Sequence, residues 1–150
     1  MARWVSLAVG FFLIILPLAA VAAEGQQYVR HAEKPYAEVI DDLRFAVAEH
    51  NFRITSSNEI GAAITARGID TMPLSTVMHI CNLDYAGRIL KRAPDRLLDM
   101  PCRLAVYQDD TGVMIQARLI DETDQRVADI AARVNAMLRG IVDFAAERAD

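Results

Sequence analysis

Signatures of known chemistry are scarce in this chain. It has no Cys-x-x-Cys pair, which excludes a thioredoxin-type active site, and no Cys-x-x-Cys-His, which excludes covalent c-type haem. Ser56, Ser57 and Ser75 sit in no Gly-x-Ser-x-Gly elbow. No glycine-rich loop is of the kind that cradles phosphates. The adjacent acids Asp41-Asp42 and Asp109-Asp110 fall on a helix face and in a turn, where carboxylates are ordinarily just solvated. Repeats and low-complexity tracts are absent, and past the first two dozen residues no apolar run is long enough to cross a membrane.

What is present begins with an export signal. Arg3 makes a short positive start, no charge follows from Trp4 to Ala23, and Phe11-Phe12-Leu13-Ile14-Ile15-Leu16 forms an apolar centre. Pro17 breaks that run, and Ala20-Val21-Ala22-Ala23 offers small residues to a signal peptidase after Ala22 or Ala23. Residues 1–23 are thus expected to be a signal peptide. The alternative is an uncleaved anchor, since about 20 apolar residues suffice to span a bilayer. No cysteine stands near its end, which argues against a bacterial lipid anchor. Either way residues 24–150 are expected to work as one domain outside the cytoplasm, in the periplasm or tethered facing it. Without Arg3 that domain holds 15 basic against 20 acidic residues, a net charge of −5. That is the wrong sign for a general nucleic-acid binder.

The domain reads as alternating strands and amphipathic helices. Gln26 to Ala32 is a strand candidate. Pro35 suits a helix start, and Tyr36, Val39, Ile40, Leu43, Ala46, Val47 and His50 recur at helical spacing. Phe52 to Ser56 reads as a short strand, and Gly61 to Arg67 as a brief helix closed by Gly68. Leu74 to Cys81 is a strand, after which Asn82 caps another helix. Pro94 and Pro101 bracket one further helical turn. Residues 102–107 and 113–119 alternate around Asp109-Asp110-Thr111-Gly112, the pattern of a hairpin. Leu104, Val106, Val113, Ile115 and Leu119 share its core face. A last helix is expected from about Thr123, with Ile130, Val134, Leu138, Ile141 and Val142 on its apolar stripe. Two long amphipathic helices on one face of a mostly antiparallel sheet is the economical packing, an α+β fold.

Three constellations could carry chemistry. Cys81 and Cys102 flank the 82–101 insertion. In an oxidising compartment they are disulfide candidates, and the closed loop would stabilise the fold by about 3 kcal/mol in the chain-entropy model. Two separate buried thiols are the alternative. His79 and Cys81, two apart on a strand, share a side. With Cys102 they could form a soft nitrogen-and-sulfur site for a metal or haem iron. Thirdly, with a loop of residues 109–112, Gln108 faces Val113, Tyr107 faces Met114 and Arg103 faces Arg118. Like charges opposite one another are unfavourable. Arg103, Arg118 and Tyr107 are therefore candidates to bind an anionic or aromatic group on the sheet face opposite the core. Splaying into water is the ordinary alternative. The run Arg88, Lys91, Arg92, Arg96, Arg103 is basic, though a solvated helix face explains it as well.

Leu97-Leu98-Asp99-Met100-Pro101-Cys102-Arg103-Leu104-Ala105-Val106-Tyr107 with its turn, the strand ending Ile80-Cys81-Asn82, and the helical turn from Asn58 to Gly68 resemble the domain of unknown function 302 family over about residues 27–145. The resemblance implies a helix-grip arrangement, similar to the TATA-binding-protein-like class. It implies no catalytic residue. A likeness of fold does not imply DNA binding, which the charge also opposes. The domain is thus expected to be non-catalytic, binding a partner protein, a small ligand or a second copy of itself through its open sheet face. The alternative is a redox or metal- and haem-handling accessory using Cys81, Cys102 and His79. No cofactor is indicated, and membrane contact is expected only through an uncleaved N-terminal segment.

Overall fold

The computed structural model describes residues 26–70 and 72–147. The expected export signal at 1–23 lies outside them. In chain order the elements are β1 (Gln27–Ala32), α1 (Tyr36–Glu49), β2 (Arg53–Asn58), α2 (Ile60–Ala66), β3 (Ser75–Cys81), α3 (Leu83–Arg92), a 3-10 turn (Pro94–Asp99), β4 (Cys102–Asp109), β5 (Gly112–Arg118) and α4 (Ala128–Ala146). The strands form one sheet in the order β1-β5-β4-β3-β2, every neighbouring pair antiparallel.

Period-two patterning fixes which side of this sheet is dry. Met78 and Ile80 of β3, Leu104 and Val106 of β4, and Val113, Ile115 and Ala117 of β5 are all buried. They meet the apolar stripes of α1 (Val39, Leu43, Val47) and α4 (Ile130, Val134, Leu138, Ile141), which pack alongside each other on that face. Lys34, its side chain almost wholly buried, ties the pair together. It pairs with Asp42 of α1 and donates to the Glu147 carbonyl beyond α4 at 2.9 Å. On the outer side Phe45 and Phe144 stack with centroids 5.6 Å apart.

Local chemistry sets the boundaries. Gly68, at φ +66°, takes the left-handed conformation that closes the segment after α2. The Asn82 side chain caps α3, accepting from the Asp84 and Tyr85 amides. Strand β2 lies at the sheet edge with every residue exposed, and its register against β3 slips between Ile54 and Ser56.

Two expectations are corrected. The long C-terminal helix starts at Ala128 rather than near Thr123. Asp121 accepts from the Thr123 amide at 2.8 Å and Asp124 from the Arg126 amide at 3.1 Å, local bonds that hold the chain in turns and compete with the helix. The hairpin loop is Asp110-Thr111 alone, because pairing runs on to Asp109 opposite Gly112. The core register is nonetheless as read from the sequence, with Gln108 opposite Val113 and Tyr107 opposite Met114.

Candidate binding face and the adjoining cleft

The side of the sheet away from α1 and α4 carries three cross-strand rows. One runs Ser56, His79, Arg103, Arg118, Gln27, and the next Asn58, Val77, Ala105, Gln116, Val29. The third runs Ser75, Tyr107, Met114, His31. Pairing between β4 and β5 extends to Leu104 opposite Ala117, and one further step sets Arg103 against Arg118. None of the side chains in these rows is buried, whereas their alternate neighbours Met78, Ile80, Leu104, Val106, Val113, Ile115 and Ala117 on the three central strands are.

The rows separate two of the candidates. Tyr107 shares the face with the arginines but stands two rows away, between Ser75 and Met114. The arginines therefore have to be read without it. Both are exposed, and among the described residues neither forms an ion pair. They line one cleft at the end of the sheet with Arg96, Leu98, Asp99 and Asp121, about 820 Å3 counted out to solvent.

Arg96, a member of the basic run over 88–103, is held by acids rather than solvated. Its side chain is only 19% exposed, and it contacts Asp99 at 3.3 Å, Asp121 at 3.4 Å and Asp124 at 3.6 Å. Its Nε is buried without an aligned hydrogen-bond acceptor. Of the rest of the run Arg92 meets Asp129 at 2.7 Å, and outside it Arg126 closes a fork on Asp95 with two 2.9 Å bonds. Arg88 lies over the Tyr85 ring at 5.4 Å. The acids Asp95, Asp99, Asp121 and Asp124, spread over two segments, were the available hint that these cations had partners.

Behind the cleft lies a narrow apolar hollow lined by Phe52, Tyr85, Ile89, Met100, Ile120 and Val134 among others. It measures about 470 Å3 out to its mouth, with an interior of about 30 Å3. Cys81 and Cys102 both reach it, as free thiols. Burial pushes the Cys102 thiol up to about 11, helped by the neighbouring Cys81, and burial also raises Cys81. Thiolate, the reactive and metal-binding form, is correspondingly scarce near neutral pH. His79 does not line the hollow. It lies on the open face, its Nδ1 2.7 Å from Ser56 Oγ, whereas Cys102 stands opposite Ile80 on the core-facing parity. Among the described residues no three His, Cys, Asp or Glu side chains are grouped so as to hold a metal ion.

The family model described as domain of unknown function DUF302 matches residues 28–145. The chain belongs to this family. An uncharacterized protein of Aquifex aeolicus (strain VF5) is 27% identical over 101 residues, covering 67% of this chain and 64% of that relative's length. The chain thus spans less than two thirds of this relative's length. A crystal structure of an uncharacterized conserved DUF302 protein from Bacillus stearothermophilus superposes with a TM-score of 0.74 at 20% identity, covering 81% of this chain and 98% of the other. At that identity the likeness establishes the fold.

Proposed function

We propose that this DUF302 domain is an exported, non-catalytic binding module that engages an anionic group at the Arg103–Arg118 end of its open sheet face. The observation that carries the reading is the pair itself. Two guanidinium groups stand on adjacent strands, exposed, in one cleft and without acidic partners of their own. Such an arrangement costs stability in the free protein and is relieved by a bound anion. Export is supported by the signal-like grammar of residues 1–23.

Two measurements test this reading. Inorganic phosphate, compared with chloride at equal ionic strength, should raise the melting temperature of the wild-type protein but not of Arg118→Glu. No such rise in wild type with either phosphate or acetate ends the anion reading. Sequencing the N-terminus of the protein recovered from its own host should find the chain starting at Ala23 or Glu24. An intact N-terminus on a protein retained in the cytoplasm ends the export reading. The redox or metal-handling alternative built on Cys81, Cys102 and His79 draws no support from two thiols with raised pKa values and a histidine that bonds Ser56 outside the hollow they line.

A further inference from the structure

We infer that the anion taken by this module is a carboxylate carrying a short apolar tail, the tail entering the hollow between α3, the 3-10 turn and α4. The inference rests on the anion reading above and extends it to a ligand class. The arginine cleft and the apolar hollow adjoin: Arg96, Asp99, Pro101, Cys102 and Ile120 belong to the walls of both. A head group held by Arg103 and Arg118 therefore lies next to a space whose lining is mostly apolar.

Charge sets the head group. Three arginines, Arg96, Arg103 and Arg118, face two aspartates, Asp99 and Asp121, in the cleft. Arg96 is already engaged by those aspartates and by Asp124, so the free guanidiniums are the two on the sheet. An anion is what that remaining pair can take up. A carboxylate also matches the planar guanidinium fork.

Shape sets the tail. The interior of the hollow is only about 30 Å3, the room of a single methyl group, so the contact is confined to one carbon beyond acetate's own. Ile89 and Ile120 flank that path. Each methylene removed from water there should tighten binding about fourfold, and the gain should stop once the interior is full.

The test is a titration of the purified protein with acetate, propionate, butyrate and hexanoate at matched ionic strength, followed by NMR. The expected result is a dissociation constant falling about fourfold from acetate to propionate and little further to butyrate or hexanoate. Butyrate, but not acetate, should shift the Ile89 and Ile120 methyl signals. Arg118→Glu should weaken every member of the series. Ala86→Phe, which fills the hollow from α3, should flatten the series. Should that variant fail to fold, the wild-type methyl shifts decide alone. Equal affinity across the series, or butyrate binding that leaves both isoleucines unmoved, overturns the tail while the anion site stands. A melting-temperature response to phosphate with no carboxylate binding overturns the ligand class. Absence of both responses overturns the anion reading itself.

Discussion

Asn135, buried in α4, holds both backbone polar groups of Ile120: its Oδ1 accepts from the Ile120 amide at 2.8 Å and its Nδ2 donates to the Ile120 carbonyl at 2.9 Å. The side chain does for this segment what a neighbouring strand does for β5, and it does so where Ile120 forms a wall of both cleft and hollow. Asn135→Leu leaves the amide and the carbonyl of half-buried Ile120 unpaired. It should cost about 3 kcal/mol in urea denaturation. A loss under 1 kcal/mol would mean that water replaces both bonds.

Two helical glycines make a matched pair. A Cβ at Gly61 would fall 2.1 Å from the Pro73 carbonyl oxygen, a backbone atom that cannot step aside. Gly87, midway along α3, has nothing within 4 Å of its added Cβ. Gly61→Ala should therefore destabilise the fold by more than about 2 kcal/mol. Gly87→Ala should stabilise it by about 0.8 kcal/mol, through helix propensity alone. Thermal melts of the two variants should move in opposite directions.

Relieving the arginine pair separates stability from binding. Arg118→Gln removes one of two like charges while keeping a long polar side chain. In low salt the variant should be about 0.5 kcal/mol more stable than wild type, and the difference should fade in 1 M salt, where the screening length is about 3 Å. Its response to phosphate should be weaker than that of wild type. Equal melting temperatures in low salt would show that the two guanidiniums splay beyond each other's reach.

The Cys102 thiol supplies a pH test. Its pKa is raised from 9.0 to about 11, chiefly by burial. The folded state favours the neutral form, so this contribution is fully present below pH 9 and is lost as pH climbs towards 11. Denaturation midpoints of wild type and Cys102→Ala should differ most at pH 7.5 and converge by pH 10.5. Alkylation of Cys102 in the native protein should be slow at pH 8. Labelling as fast as that of a free thiol would contradict the burial that sets the shift.

The hairpin was legible because alternation over residues 102–119 leaves one register that buries Leu104, Val106, Val113 and Ile115 together. Both long helices were legible from their stripes. The start of α4 was not, since Asp121 and Asp124 read equally well as helix-initiating acids and as turn formers; only their bonds to the Thr123 and Arg126 amides distinguish the two. The arginine pair followed from counting along the strands. The inference that Tyr107 joins it did not, because a shared face says nothing about distance along a strand. The hollow was illegible. It depends on Phe52, Tyr85, Met100 and Val134 converging from four separate segments, and no local period encodes that.

The slipped register of β2 governs what the sheet can become. Outer strands bear a comb of spare amides and carbonyls that can recruit extended peptide. At Ile54–Ser56 the teeth of this comb lose their even spacing. A second polypeptide zipping on there would fall out of step within a few residues, so stacking of sheets into fibrils is discouraged on that flank by geometry alone.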